Sequence, residues 1–322
     1  MTLPALVAPD SFKGTFSARE VAAAVAAGLR EAGREARELP VADGGEGTME
    51  VLVDALGGDV RRATVSDPLG RPVEAGFALL PDGSGVVEMA QASGLSLVAE
   101  DERDAWRAST RGTGELIAAA VEAGAARVIV TVGGSATTDG GAGALEALKE
   151  AAVGPLLQLH VVCDVRVPFE DAPRVFGPQK GADAAMVKRL EQRLDELAAG
   201  FPRDPRGEPM TGCAGGLSGG LWAAHGATLV PGAPYVLDAI GFDVLMRESA
   251  FVVTGEGSLD EQTLEGKIVG ELATRCRQGG VACHAIVGRN RLDPFGERII
   301  DLASVTEATT LEELVEAGRA LV

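Results

Sequence analysis

The sequence predicts an α/β protein built as two α/β lobes, one of them discontinuous and formed by both chain ends. Three observations predict it. Short apolar runs rich in β-branched residues alternate with amphipathic helical stretches, the pattern of parallel strands joined by crossover helices. Several of these runs end in glycine-rich loops, in a chain with 43 glycines among 322 residues, close to twice the usual share of about 7%. After residue 61 the alternation gives way to paired strands, which reads as a second, mixed-sheet lobe inserted into the first.

The elements follow in order. Leu3–Ala8 is a buried strand ending at Pro9-Asp10. Ser17 and Glu20 form a capping box for a helix whose Val21, Val25 and Leu29 share one face. Glu35–Val41 is a second strand, and Thr48 is placed to cap a helix reaching Leu56. Turn signals at Asp67-Pro68-Leu69-Gly70 and Asp82-Gly83 divide the paired strands of Ala63–Val98. Helical texture returns over Thr113–Ala123. Arg127–Val132, Leu159–Cys163, Phe251–Thr254 and Ala282–Val287 are further buried strands. Thr310 and Glu313 box a terminal helix running to Leu321. The division this implies is residues 1–62 plus 285–322 for the discontinuous lobe and 63–284 for the inserted one.

Composition excludes several functions. Basic residues number 29 and acidic ones 47, for a net charge of −18 and a pI near 4.6. A general nucleic-acid binder or an anionic-membrane binder needs a basic face, so neither is expected. No signal-like start and no uncharged apolar run of membrane length is visible. Cys163, Cys213, Cys276 and Cys283 form no C-x-x-C pair and read as reduced, buried thiols of a cytoplasmic protein. His160, His225 and His284 are scattered and read as structural.

The strand-end loops share one texture: Pro9–Gly14, Ala42–Gly47, Gly133–Gly141 and Thr254–Asp260. Glycine lets backbone N–H groups turn toward an anion, and a following helix N-terminus adds positive potential. Asp and Glu in such loops suit a hydrated Mg²⁺, a hydroxyl or a general base. The chain has five lysines against twenty-four arginines, and three of the five touch a glycine: Lys13, Lys180 and Lys267. Lys149 and Lys188 lie in charged helical surroundings. Neither G-x-x-x-x-G-K-[ST] nor a strand followed by G-x-G-x-x-G occurs, which disfavours P-loop and dinucleotide enzymes. Spacing alone leads to an α/β enzyme with a phosphate-handling cleft.

Nine blocks carry a resemblance: APDSFKGTFSA (8–18), ADGGEGT (42–48), DPLGRPV (67–73), STRGTGELI (109–117), VGGSATTDGGAGAL (132–145), CDV (163–165), FGPQKGA (176–182), AGGLSGGL (214–221) and TGEGSLDEQTLEGK (254–267). Through them the chain resembles the bacterial glycerate kinases of the glycerate 2-kinase type over nearly its whole length. The resemblance implies ATP-dependent phosphorylation of D-glycerate to 2-phosphoglycerate with Mg²⁺, in an active-site cleft between two lobes. It departs from the family in three places: a short bridge at Lys149–Gln158, Arg166-Val167 after the CDV block, and Thr138 in place of the common Asn.

Phosphoryl transfer needs positioning, charge neutralisation and an oriented hydroxyl. On that basis Gly133, Gly134, Ser135, Thr137, Asp139 and Gly140 are assigned to ATP phosphates. Lys13 and Lys267 are assigned to transferring charge or the glycerate carboxylate, with Lys180 a third cation on the substrate side. Asp10 and Asp43 compete for the role of base. Asp164, Glu256 and Asp260 are the metal-ligand candidates, and Ser11, Gly44, Glu46 and Gln262 complete the substrate set. Two alternatives remain: phosphorylation at C3, and a non-catalytic sugar-acid or nucleotide-binding regulator on the same fold.

Overall fold

Both capping boxes form. In the computed structural model, which describes residues 3–154, 157–264 and 267–322 with the side chain of Gln262 left out, Ser17 and Glu20 close the start of helix Ala18–Glu31. Thr310 and Glu313 do the same for helix Leu311–Arg319. The first helix buries Val21, Val25 and Leu29, at most 1% exposed, in a core shared with Val7, Ile286 and Leu314. Each such side chain contributes roughly 1.5–3 kcal/mol by leaving water. The two helices touch through glycine. A Cβ on Gly28 would lie 1.9 Å from the Val315 carbonyl oxygen, and one on Gly318 would lie 2.4 Å from that of Val25. Part of the glycine surplus is thus close helix packing.

In chain order the strands are β1 (Ala5–Pro9), β2 (Ala36–Glu38), β3 (Asp59–Ser66), β4 (Pro72–Leu79), β5 (Ser84–Glu88), β6 (Arg127–Thr131), β7 (Gln158–Cys163), β8 (Thr228–Pro231), β9 (Phe251–Gly255), β10 (Ala282–Val287) and β11 (Ser304–Glu307). They form two sheets. One has the order β11-β10-β9-β1-β2 and is parallel throughout. The other has the order β3-β4-β5-β6-β7-β8, antiparallel from β3 to β5 and parallel from β5 to β8. The predicted α/β class, with a mixed sheet inserted into a sheet made by both chain ends, is what the structure has. No helix among the described residues is long and apolar enough to cross a membrane.

The chain divides into two compact units, residues 1–43 with 233–322, and residues 44–232. The expected boundaries, 62/63 and 284/285, fall elsewhere. The first would cut β3, which pairs along its whole length with β4. The second would cut β10, and it would separate β9 from β1, to which β9 bonds from Phe251 to Gly255. A strand goes with the ladder that satisfies its backbone, and ladders between distant segments leave no local sign.

Two further elements differ from expectation. The second strand is shorter than Glu35–Val41, although Leu39 and Val41 still donate to Val7 and Pro9 carbonyls; Pro40 between them sits on an edge strand, where a missing N–H costs no ladder bond. Thr48 begins its helix instead of capping it, with Gly47 as N-cap at φ 87°. The cap comes from Glu88, whose carboxylate accepts from Gly47 N–H at 3.0 Å and Met49 N–H at 3.3 Å. Burial raises the Glu88 carboxyl above its ordinary range, and those two donors oppose the rise.

Candidate active site

The parallel sheet places the chemistry of the first unit. From β1 the chain runs to β2 on one side, and β9, β10 and β11 lie in succession on the other. The order therefore reverses between β1 and β9, and ligands of open α/β sheets bind beyond the strand carboxyl ends at such a point. Pro9 pairs with Gly255, so Asp10 and Glu256 emerge side by side. They line a cavity of about 420 Å³ with Ser11, Lys13, Asp43, Asp260 and Lys267. All of these residues belong to the same unit.

The electrostatics of the cavity are unusual. Asp10 is 5% exposed, and burial followed by repulsion from Asp43 pushes its carboxyl to about 8. Ser11 N–H at 2.6 Å and the Lys13 charge pull the other way. Glu256 is pushed to about 7, first by burial, against a hydrogen bond from Thr263 and the charge of Lys267. The Thr263 hydroxyl donates to it at 2.6 Å. A site of this kind holds carboxylates near the middle of their titration at neutral pH, the condition for general-base work.

In the second unit the loop after β6 is divided by burial. Gly134 is exposed at φ 69°, and Ser135 is 8% exposed. Beyond them the chain turns inward. Thr137 and Asp139 are 0% and 1% exposed. Asp139 accepts from Thr110 N–H at 2.8 Å and its hydroxyl at 2.9 Å, and from the N–H groups of Gly141 and Gly143. Gly140 N–H donates to the Gly215 carbonyl. Thr137, Asp139 and Gly140, assigned to phosphates from the sequence, are thus buried and bonded within the loop that they shape.

Lys180, assigned to the substrate side from the sequence, is also buried. It is 1% exposed, and its ammonium donates to Ser135 Oγ at 2.8 Å and to the Thr137 carbonyl at 2.6 Å. Burial lowers its pKa to about 7, against the charges of Asp139 and Asp164. In the structure it is a strut under the loop. Ser135 Oγ accepts from it, which leaves the hydroxyl proton to donate outward.

The remaining sequence candidates separate by unit. Gly44 is buried, and a Cβ there would lie 2.9 Å from both Gly232 Cα and Val162 Cγ1. Glu46 is exposed, and its carboxylate lies over the face of Gly134 that carries no Cβ. Asp164 is half-buried in the second unit, whereas Glu256 and Asp260 belong to the first. The Gln262 side chain lies outside the described residues. Among the described residues no group of three or more His, Cys, Asp or Glu is disposed to hold a metal ion.

Arg289, Arg291 and Thr309 also line the cavity and were not among the sequence candidates. The signal was there for Arg289 and Arg291: β10 is a parallel strand whose carboxyl end carries Gly288, as in the other site loops.

Comparison with known proteins now places the chain. The profile of the glycerate kinase family matches residues 5–154 and 151–321, two stretches that meet at the short bridge. A glycerate kinase of Bacillus subtilis (strain 168) is 42% identical over 81% of this chain and 78% of its own. The glycerate 2-kinase of Escherichia coli (strain K12) is 39% identical over 82% and 79%. A crystal structure assigned as glycerate kinase 2 from Salmonella typhimurium LT2 superposes with a TM-score of 0.83 at 33% identity, over 100% of this chain and 97% of its own. Matched along nearly its full length in sequence and in fold, the chain belongs to the glycerate kinase family.

Proposed function

We propose that the chain transfers a phosphoryl group from ATP to the C2 hydroxyl of D-glycerate, with Mg²⁺, giving 2-phosphoglycerate and ADP. The observation that carries this reading is Asp10, a carboxyl pushed to about 8 in a cavity lined by Lys13 and Lys267. Asp43 raises it by repulsion, so Asp10 takes the role of base and Asp43 tunes it. A base with such a pKa accepts a hydroxyl proton near neutral pH as the oxygen attacks. Lys13 and Lys267 stabilise the charge on the transferred group as compact cations.

Gly133, Gly134 and the Ser135 hydroxyl are assigned to nucleotide phosphates, with Lys180 keeping their loop in shape. The donor set fits Mg²⁺ that arrives with the nucleotide. Mg²⁺ keeps several waters and takes one or two carboxylates plus substrate phosphates. Glu256 and Asp260 supply the carboxylates; the Thr263 hydroxyl and the Lys267 charge favour the ionised form of Glu256 against the burial that raises it to about 7. When bound, the ion neutralises phosphate charge. The four buried thiols suit a reducing cytoplasm.

The test is incubation with ATP, Mg²⁺ and D-glycerate, followed by ³¹P NMR of the product. A 2-phosphoglycerate signal is expected. A 3-phosphoglycerate signal transfers the reading to C3, and the absence of any ADP release supports the non-catalytic binder.

A further inference from the structure

We infer that Arg289 and Arg291 form the wall that holds the carboxylate of the hydroxy-acid substrate, a role that rests on the proposed reaction. The segment after β10 lies beside the Glu256 loop, joined by an isolated parallel bridge between Leu259 and Asn290. Three backbone bonds stitch them: Gly288 N–H to the Glu256 carbonyl at 3.0 Å, Leu259 N–H to that of Arg289 at 2.9 Å, and Arg291 N–H to that of Leu259 at 2.8 Å. Side chains alternate along extended backbone. Asn290 turns away, its amide donating to Glu297 at 2.6 Å, and its N–H is held by Glu307 at 2.6 Å. Arg289 and Arg291 therefore share the other side, and both line the cavity that contains Asp10.

The chemistry requires such a wall. The hydroxyl that gives its proton to Asp10 sits on the carbon next to the substrate carboxylate, so that anion must enter a cavity already carrying Asp10, Asp43, Glu256 and Asp260. Selecting one of two hydroxyls needs a directional grip. A guanidinium fork grips a carboxylate in two parallel hydrogen bonds, and a lysine does not.

The test is steady-state kinetics of the full chain and of Arg289→Gln, Arg291→Gln, the double variant and Arg289→Lys. The KM for D-glycerate is expected to rise at least tenfold in each single Gln variant and further in the double. The KM for ATP should stay within twofold, and Arg289→Lys should recover part of the loss. Preference for D-glycerate over uncharged glycerol should fall by the same factor. A KM for D-glycerate within twofold of the parent in the double variant, or a rise confined to ATP, overturns the inference. If the parent chain does not phosphorylate D-glycerate, the proposed reaction fails first. Calorimetric titration with D-glycerate then decides the wall: binding lost in the double variant supports it, and binding unchanged or absent from the parent overturns it.

Discussion

Asp10 and Asp139 are alike in sequence and opposite in state. Each is an almost fully buried aspartate in a loop that follows a parallel strand. In the second unit, Asp139 meets donors on every side: the Thr110 N–H and hydroxyl and the N–H groups of Gly141 and Gly143. In the first unit, Asp10 accepts from Ser11 N–H and lies under the repulsion of Asp43 and Glu256. In the proposed reaction the protein uses one to build and the other to react. A buried carboxylate whose oxygens are all engaged contributes stability, and one facing like charges holds its proton toward neutral pH.

The largest break of this contrast is Asp10→Asn. It removes the proposed proton acceptor and keeps the shape, so kcat should fall by about 10²–10⁴-fold. The parent's kcat/KM should rise with pH toward about 8, and the variant should lose that limb. Stability should move the opposite way. The folded pKa of Asp10 lies above its unfolded value of 3.8, so the native state holds the proton more tightly. The stabilisation this gives is complete below 3.8 and is lost as pH rises through about 8. Asp10→Asn does not titrate, so its Tm should exceed the parent's most at pH 8.5 and least at pH 4. Equal Tm differences at both pH values would show that Asp10 is ionised in the fold.

Asp139→Asn is the converse. An amide nitrogen would be forced against N–H groups that now donate to a carboxylate, at a cost of about 2–4 kcal/mol. Urea unfolding should read that loss. Well below Tm, kcat should stay within a few-fold of the parent, because the side chain is buried with its oxygens engaged by the loop. Collapse of kcat with unchanged unfolding would return Asp139 to the active site and erase the contrast.

What could be read from the sequence was local. Both capping boxes, the buried strands and the hairpins after residue 61 follow from spacing within one turn or one ladder. The loops were also found, because glycine, acid and lysine cluster at strand ends. Which groups in them do chemistry was not, because that depends on strand order. Asp10 meets Glu256 only because β1 lies beside β9, some 240 residues along the chain. Glu88, at the end of β5, caps the helix at Thr48 across three strands and two turns. Arg289 and Arg291 carried a sign in the Gly288 that ends β10, but that they line the same cavity as Asp10 is seen only in the fold. Thr137, Asp139, Gly140 and Lys180 show the same limit in reverse, since a loop that cradles an anion and a loop pinned from beneath have the same composition.

The finest test lies within the first unit. Thr263 is fully buried, and its hydroxyl donates to Glu256 at 2.6 Å while accepting from Asp260 N–H at 3.2 Å. Valine has the same shape without the hydroxyl. In Thr263→Val, Glu256 loses a bond that favours its ionised form, so its pKa should climb above about 7. Glu256 must be ionised to take part in metal binding, so the fraction competent at pH 7 should fall. Activity should drop a few-fold at pH 7 and return toward the parent's at pH 8.5, with the apparent Mg²⁺ requirement rising at the lower pH. A loss that is the same at both pH values would mean that Thr263 acts through packing alone, and that Glu256, like Asp139, belongs to the carboxylates that build.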